Sequence, residues 1–249
     1  MKDGPKPEFL KKRVAYYVTG ADEWKYADSL ESIANGKRTL YLSSNGFAGE
    51  VFSSGSLVDA SVQSSQPDHF AYDPLDTRPG ALESEVDGLV SQSDALNLFG
   101  AGVVYHSDPF AEATEVSGYV KFSVWLSMDV PDTDLGVSLY EILPDGRSVA
   151  LTSDMKRARY RESLTEAKLV TPGKVERYDF TGFTWFSRRI AKGSRLRIVF
   201  SAVNSPDVEK NYNSGGPVES ETGRDAHTAH ITVYHEAEHP SSLEIPIVK

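Results

Sequence analysis

The chain has 249 residues, no cysteine, and 26 Lys plus Arg against 36 Asp plus Glu, a formal charge of −10. Without cysteine there is no disulfide scaffold, thiolate zinc site, iron–sulfur cluster or cysteine nucleophile, and the acidic balance excludes a general nucleic-acid binder, which needs a basic face. Charged residues at 25% beside 39% apolar residues are a globular composition, long enough to bury a core without a metal or disulfide staple.

The first seven residues are polar and lack the apolar stretch of a signal peptide. Residues 1–13 read as a linker, or as a boundary inside a longer chain, ahead of a single unit at 14–249. No segment reaches the roughly 18 apolar residues of a membrane helix. Residues 14–19 and 39–42 are rich in β-formers, and 22–34 has room for one or two helical turns. Residues 62–102 form a long irregular excursion. Residues 103–106 are again β-rich, and 109–113 offer a second weak helical pattern.

The clearest alternation lies between Tyr119 and Met128, where Val120, Phe122, Val124, Leu126 and Met128 share one face and Lys121, Ser123 and Ser127 take the other. Leu135, Val137 and Leu139 repeat it. Leu143, Pro144, Asp145 and Gly146 form a turn, and 148–152 returns as the second arm of a hairpin. Residues 178–186 are β-rich. In 194–203, Leu196, Ile198 and Phe200 point inward, with Arg195 and Arg197 outward. After a second irregular excursion at 204–225, 229–235 and 243–248 are the last strands. About ten or more short strands with sparse helix make a β-sandwich or barrel. Irregular stretches of such length inside one domain usually cover or bind something.

Chemical motifs are sparse. There is no Gly-x-Ser-x-Gly elbow, Walker loop, dinucleotide fingerprint or His-Glu-x-x-His, and nothing calls for a cofactor. Ser, His and Asp are abundant, which leaves a triad assembled from scattered residues open, since a triad is recognised by geometry. His227, His230, His235 and His239 cluster in sequence. Strand alternation turns His230 away from the face of Ala229, Ile231, Val233 and His235, which favours hydrogen-bonded histidines over a metal site. Asp129, Asp132 and Asp134 could offer oxygens to calcium; the competing reading pairs these carboxylates with Arg157, Arg159 and Arg161. Those arginines, on one strand, would share a face, and internal ion pairs explain them better than phosphate binding does. Trp24, Trp125, Trp185 and Tyr212 could form a sugar-stacking platform, although packing is the commoner role of such residues.

Several segments carry a resemblance: YVTGADEWKYAD (17–28), FAYDPLD (70–76), VSGYV (116–120), WLSMDVPDTDL (125–135), PDGR (144–147), RARYR (157–161), GSRLR (193–197), KNYNSGG (210–216) and PSSL (240–243). In this order they resemble the C-terminal non-catalytic domain of the Xaa-Pro dipeptidyl-peptidase and cocaine-esterase-like (CocE/NonD) hydrolases. The resemblance implies an all-β jelly-roll sandwich of the galactose-binding type, with long covering loops and little helix. It implies a partner, the α/β-hydrolase domain of the same parent chain, which carries the nucleophilic serine, aspartate and histidine of a serine hydrolase acting on dipeptides, esters or amides. None of those catalytic positions falls within the resembling segments. The expected work of the chain is to pack on and support that domain, and Trp24, Tyr26, Asn211, Tyr212 and Asn213 are its interface candidates. A free-standing carbohydrate-binding module is the alternative. An uncovered apolar face would leave the isolated chain prone to self-association. Compartment and substrate are not written in the sequence.

Overall fold

The computed structural model describes residues 11–50, 53–78 and 100–249. Most of the expected linker, and the middle of the 62–102 excursion, lie outside the described residues. The strands are β1 (Val14–Val18), β2 (Glu23–Ala27), β3 (Gly36–Ser43), β4 (Gly55–Val58), β5 (Asp68–Tyr72), β6 (Gly102–Ser107), β7 (Thr114–Gly118), β8 (Lys121–Met128), β9 (Asp134–Ile142), β10 (Ser148–Arg157), β11 (Glu176–Phe180), β12 (Phe186–Ile190), β13 (Arg195–Ala202), β14 (Ala229–Tyr234) and β15 (Ser242–Val248). Single 3₁₀ turns occupy Ala158–Tyr160 and Val218–Ser220. Among the described residues no helix is long and apolar enough to cross a membrane.

β1 and β2 form a separate hairpin. The other strands join one hydrogen-bonded path, β10-β9-β13-β6-β4-β3-β15-β8-β14-β5, with β11 added to β8 and the pair β7–β12 added to β15. Neighbours are mostly distant in sequence, so long crossing connections, not consecutive hairpins, build the sheet. The sheet then folds over on itself. Phe200 of β13 packs against Phe122 of β8, Phe180 of β11 and Phe70 of β5 at ring-centroid distances of 5.6, 5.9 and 6.0 Å, although β13 and β8 stand five places apart along the path. These rings, with Leu40, Leu42, Leu126, Leu135, Leu139, Leu196, Ile198, Ile231 and Leu243, form one apolar interior. Each such side chain contributes about 2 kcal/mol through removal from water. The result is the expected all-β sandwich.

Local chemistry explains the hairpins. Gly146 takes φ 88° in the β9–β10 turn, and the amide of Leu143 donates to the Arg147 carbonyl at 2.9 Å. A positive φ is costly for any residue with a Cβ, so the Pro-Asp-Gly signal read from the sequence is realised here.

Four expectations need correction. Residues 22–34 hold β2 and not helical turns, because Trp24 and Tyr26 alternate with Lys25 and pair in register with β1, Tyr17 opposite Trp24. Residues 109–113 form no helix. Residues 178–186 are not one run: β11 ends at Phe180, and Phe183 turns into the core before β12 begins. Arg197 does lie on the face opposite Ile198, but it is buried at 5% exposure, because β13 is central in the sheet and Val104, Val199 and Tyr140 cover that outer face.

One close approach has a measurable consequence. A Cβ added to Gly55 would lie 2.1 Å from Cδ1 of the fully buried Tyr105. Gly55→Ala should therefore lower stability by about 2–3 kcal/mol through overpacking, read as a shift in the urea midpoint at unchanged slope.

Candidate functional site

The chemistry of the chain gathers at the long loops. Asp132 and Asp134, in the β8–β9 connection and at the start of β9, are 0% and 2% exposed. Arg157, directly opposite Asp134 in the β9–β10 ladder, grips it with two bonds, Nε to Oδ1 at 2.9 Å and Nη2 to Oδ2 at 3.0 Å. The chain then enters its 3₁₀ turn, which delivers Arg159 to Asp132: Nε donates to Oδ2 at 2.7 Å and the backbone N–H to Oδ1 at 2.8 Å. Arg161 closes on Glu176, 2.9 Å away. The three arginines are thus internal ion-pair partners, as charge balance suggests. They do not form a stripe on one strand, because β10 ends at Arg157.

The same carboxylates hold the excursion after β13. Asn211 Nδ2 donates to Asp132 at 2.9 Å and to Asp134 at 3.0 Å. Arg159 Nη2 donates to the Gly216 carbonyl at 2.7 Å. Asn213 sits at φ 68°, a conformation asparagine tolerates better than most residues, and its amide donates to the His227 carbonyl. Glu221 accepts from the Tyr212 backbone N–H and from the Ser214 hydroxyl. Burial pushes the Asp132 carboxyl above its ordinary value, and the bonds from Arg159 and Asn211 offset only part of that. A calcium ion would have to displace these guanidinium and amide donors. Asp129 faces elsewhere, bonded to His230 through its backbone N–H and its ring at 2.7 Å each.

The interface candidates fall on two elements. Asn211 and Asn213 are 3% and 0% exposed, so their amides brace the loop from within and Tyr212 between them is the part left half-exposed. Trp24 projects from the β1–β2 hairpin at 61% exposure, edge-on to Tyr17 with centroids 5.5 Å apart. Tyr26 is half-buried, with the Lys11 ammonium over its ring. The hairpin is anchored through Tyr16, Val18, Ala27 and Ile33 against Trp185 and by Lys25 on Glu115 at 2.6 Å. The three tryptophans make no common row: Trp24 is exposed, Trp185 packs beneath the hairpin, and Trp125 carries the His239 ring at 5.0 Å.

Sequence reasoning missed a second polar centre. Asp68, 0% exposed, accepts from Ser44 Oγ and the Ala48 N–H on one oxygen, each at 2.8 Å, and from Tyr105 OH at 2.7 Å on the other. His235 Nε2 stands 3.0 Å from that second oxygen, and His235 Nδ1 is 2.7 Å from Ser65 Oγ. Burial pushes the Asp68 carboxyl up, yet its donors bring it below its ordinary value. The available signal was the phase of His235, which follows Ala229, Ile231 and Val233 into the core.

Fold and site together define an all-β sandwich whose buried ionic groups brace its own loops. Its sequence places it further: the chain belongs to the X-Pro dipeptidyl-peptidase C-terminal non-catalytic domain family, whose profile matches residues 9–244. It is 27% identical over 241 residues to the cocaine esterase of Rhodococcus sp. (strain MB1 Bresler), covering 95% of this chain and 42% of that one. In structure it resembles an aminopeptidase from a marine sediment Thaumarchaeota archaeon (TM-score 0.81, 23% identity, 96% of this chain and 40% of that chain). It also resembles an α-amino acid ester hydrolase (TM-score 0.79, 19% identity, 94% and 40%) and a CocE/NonD family hydrolase of Staphylococcus aureus (TM-score 0.63, 16% identity, 94% and 41%). The chain spans about two fifths of the length of each of these relatives.

Proposed function

We propose that residues 14–249 act as one accessory unit of a larger serine hydrolase of the Xaa-Pro dipeptidyl-peptidase and acyl-esterase kind. In this reading the chain contributes no nucleophile to turnover. It packs on the α/β-hydrolase domain of the same parent chain and supports it. The observation that carries the reading is one of proportion: the match to a non-catalytic C-terminal family fills nearly the whole chain, while relatives with hydrolase names are more than twice as long. Trp24, Tyr26 and Tyr212 are the contact residues in this reading, with Asn211 and Asn213 holding Tyr212 in place. An exposed tryptophan on an anchored hairpin has the character of an interface anchor.

Hydrogen exchange on the parent enzyme and on this chain alone tests the assignment. Residues 16–26 and the amides around Tyr212 should be more protected in the parent; equal protection in both would contradict it. Trp24→Ala should change the stability of the isolated chain by less than about 0.5 kcal/mol, because surface truncations rarely do more. In the parent it should release the extra protection of the hairpin.

A further inference from the structure

Among the described residues two serines hydrogen-bond to histidines, one to the half-buried His106 and one to the buried His235, and what stands behind each histidine makes them chemically opposite. His106 Nε2 accepts from Arg197 Nε at 2.7 Å. Its ring proton must therefore lie on Nδ1, which donates to Ser54 Oγ, 3.0 Å away. Burial, with Arg197 and Arg195 close by, pushes His106 down to about 4. Ser54 Oγ is thus an acceptor beside a histidine with no lone pair to offer it.

His235 has the reverse backing. The Asp68 carboxylate can only accept, so the proton belongs on His235 Nε2 and the Nδ1 lone pair faces Ser65. In the neutral ring the Ser65 hydroxyl donates to that lone pair. This is a nucleophile, a base and a group that orients the base, each within hydrogen-bond reach of the next. The orientation is well fixed: His235 and Asp68 side chains are both fully buried, and Tyr105 shares the same Asp68 oxygen. Ser65 itself is partly exposed. Its short segment is held at both ends by bridges, Val62 to Glu236 and Asn45 to Gln66.

We propose that Ser65 is an activated hydroxyl that accepts a phosphonyl or acyl group from an electrophilic donor, with His235 as its base and Asp68 as a positioning residue. With a fluorophosphonate, the Ser65 Oγ–P bond forms as the P–F bond breaks. Fluoride leaves with the bonding pair, and the hydroxyl proton passes to His235 Nδ1, where the imidazolium faces the Asp68 carboxylate. This is a single covalent event outside the hydrolase's own turnover, and it goes beyond the accessory-domain reading.

The test is to treat the folded 249-residue chain with a reporter-bearing alkyl fluorophosphonate and map adducts by peptide mass spectrometry. One adduct is expected on the peptide containing Ser65, with none at Ser54, which serves as the built-in control. Ser65→Ala should abolish it, and His235→Gln should slow it about a hundredfold, the usual contribution of a positioned base. Should His235→Gln fail to fold, the pH profile of the unaltered chain decides: labelling must slow on acidification, because an imidazolium accepts no proton. An absent Ser65 adduct, equal labelling of Ser54, or a flat pH profile would overturn the proposal and leave the accessory-domain reading standing on its own support.

Discussion

Asp68→Ala should lower the stability of the chain by about 5 kcal/mol, enough to bring a domain of ordinary stability close to unfolding. Asp68 receives Ser44, Ala48, Tyr105 and His235 on two oxygens in a site without solvent. Truncation leaves those donors buried without a partner, at about 1–3 kcal/mol for each neutral group. Partial relaxation keeps the total below the simple sum. The donors come from the β3–β4 connection, β6 and the residue just after β14, so three separated parts of the chain lose their common anchor. Chemical denaturation with an unchanged slope would measure the loss; a fall of less than 1 kcal/mol would mean that the hub is not held as described.

The same group has a pH signature. Its folded value lies below the ordinary 3.8, so its contribution is complete above the ordinary carboxylate range and is lost as pH falls through the lower folded value. Asp132 works in the opposite sense. Its value is raised by burial, so its contribution is fullest at acid pH and declines as the group ionises. Asp68→Asn should therefore flatten the acid limb of the stability profile, which Asp132→Asn should not do.

The second large effect concerns the loop clamp. Arg159→Met should cost about 3–5 kcal/mol, because it strands the fully buried Asp132 carboxylate without its guanidinium. It also removes the bond to the Gly216 carbonyl, so protease should cut within residues 203–228 well before the sandwich unfolds. Adding Asp132→Asn to Arg159→Met should recover a good part of the loss, since a buried pair replaced on both sides is far less costly than one broken on one side. No recovery in the double variant would show that the clamp does not act through that pair.

The sandwich was legible wherever one face of a strand is buried. The alternation at Phe122, Val124 and Leu126, and at Leu196, Ile198 and Phe200, reports the core directly, and the Pro-Asp-Gly turn sets the β9–β10 hairpin. The short strands β2, β4, β5 and β7 were not legible, because four or five residues carry too little alternation to outweigh local propensity. Trp24 and Tyr26 illustrate this: their strand character depends on pairing with β1. The pairing of Asp132 and Asp134 with the RARYR arginines was open to charge reasoning. The Asp68, His235 and Ser65 centre was not, since His235 is 167 residues from Asp68 and 170 from Ser65, and only the folded chain brings them together. Asn211 and Asn213 are buried and bonded within the chain, a bracing role that sequence could not separate from partner contact, because an asparagine that holds a buried loop and one that faces a partner have the same sequence appearance.

The proposed role of this sandwich, packing on a catalytic α/β-hydrolase domain of the same parent chain, is open to direct measurement. The most direct measurement is a calorimetric titration of the 249-residue chain into the separately produced α/β-hydrolase domain of its parent, with mass determined by light scattering. A one-to-one complex that Trp24→Ala weakens is expected, with the catalytic domain melting at a higher temperature once bound. Two components that elute and melt independently at every concentration would contradict it.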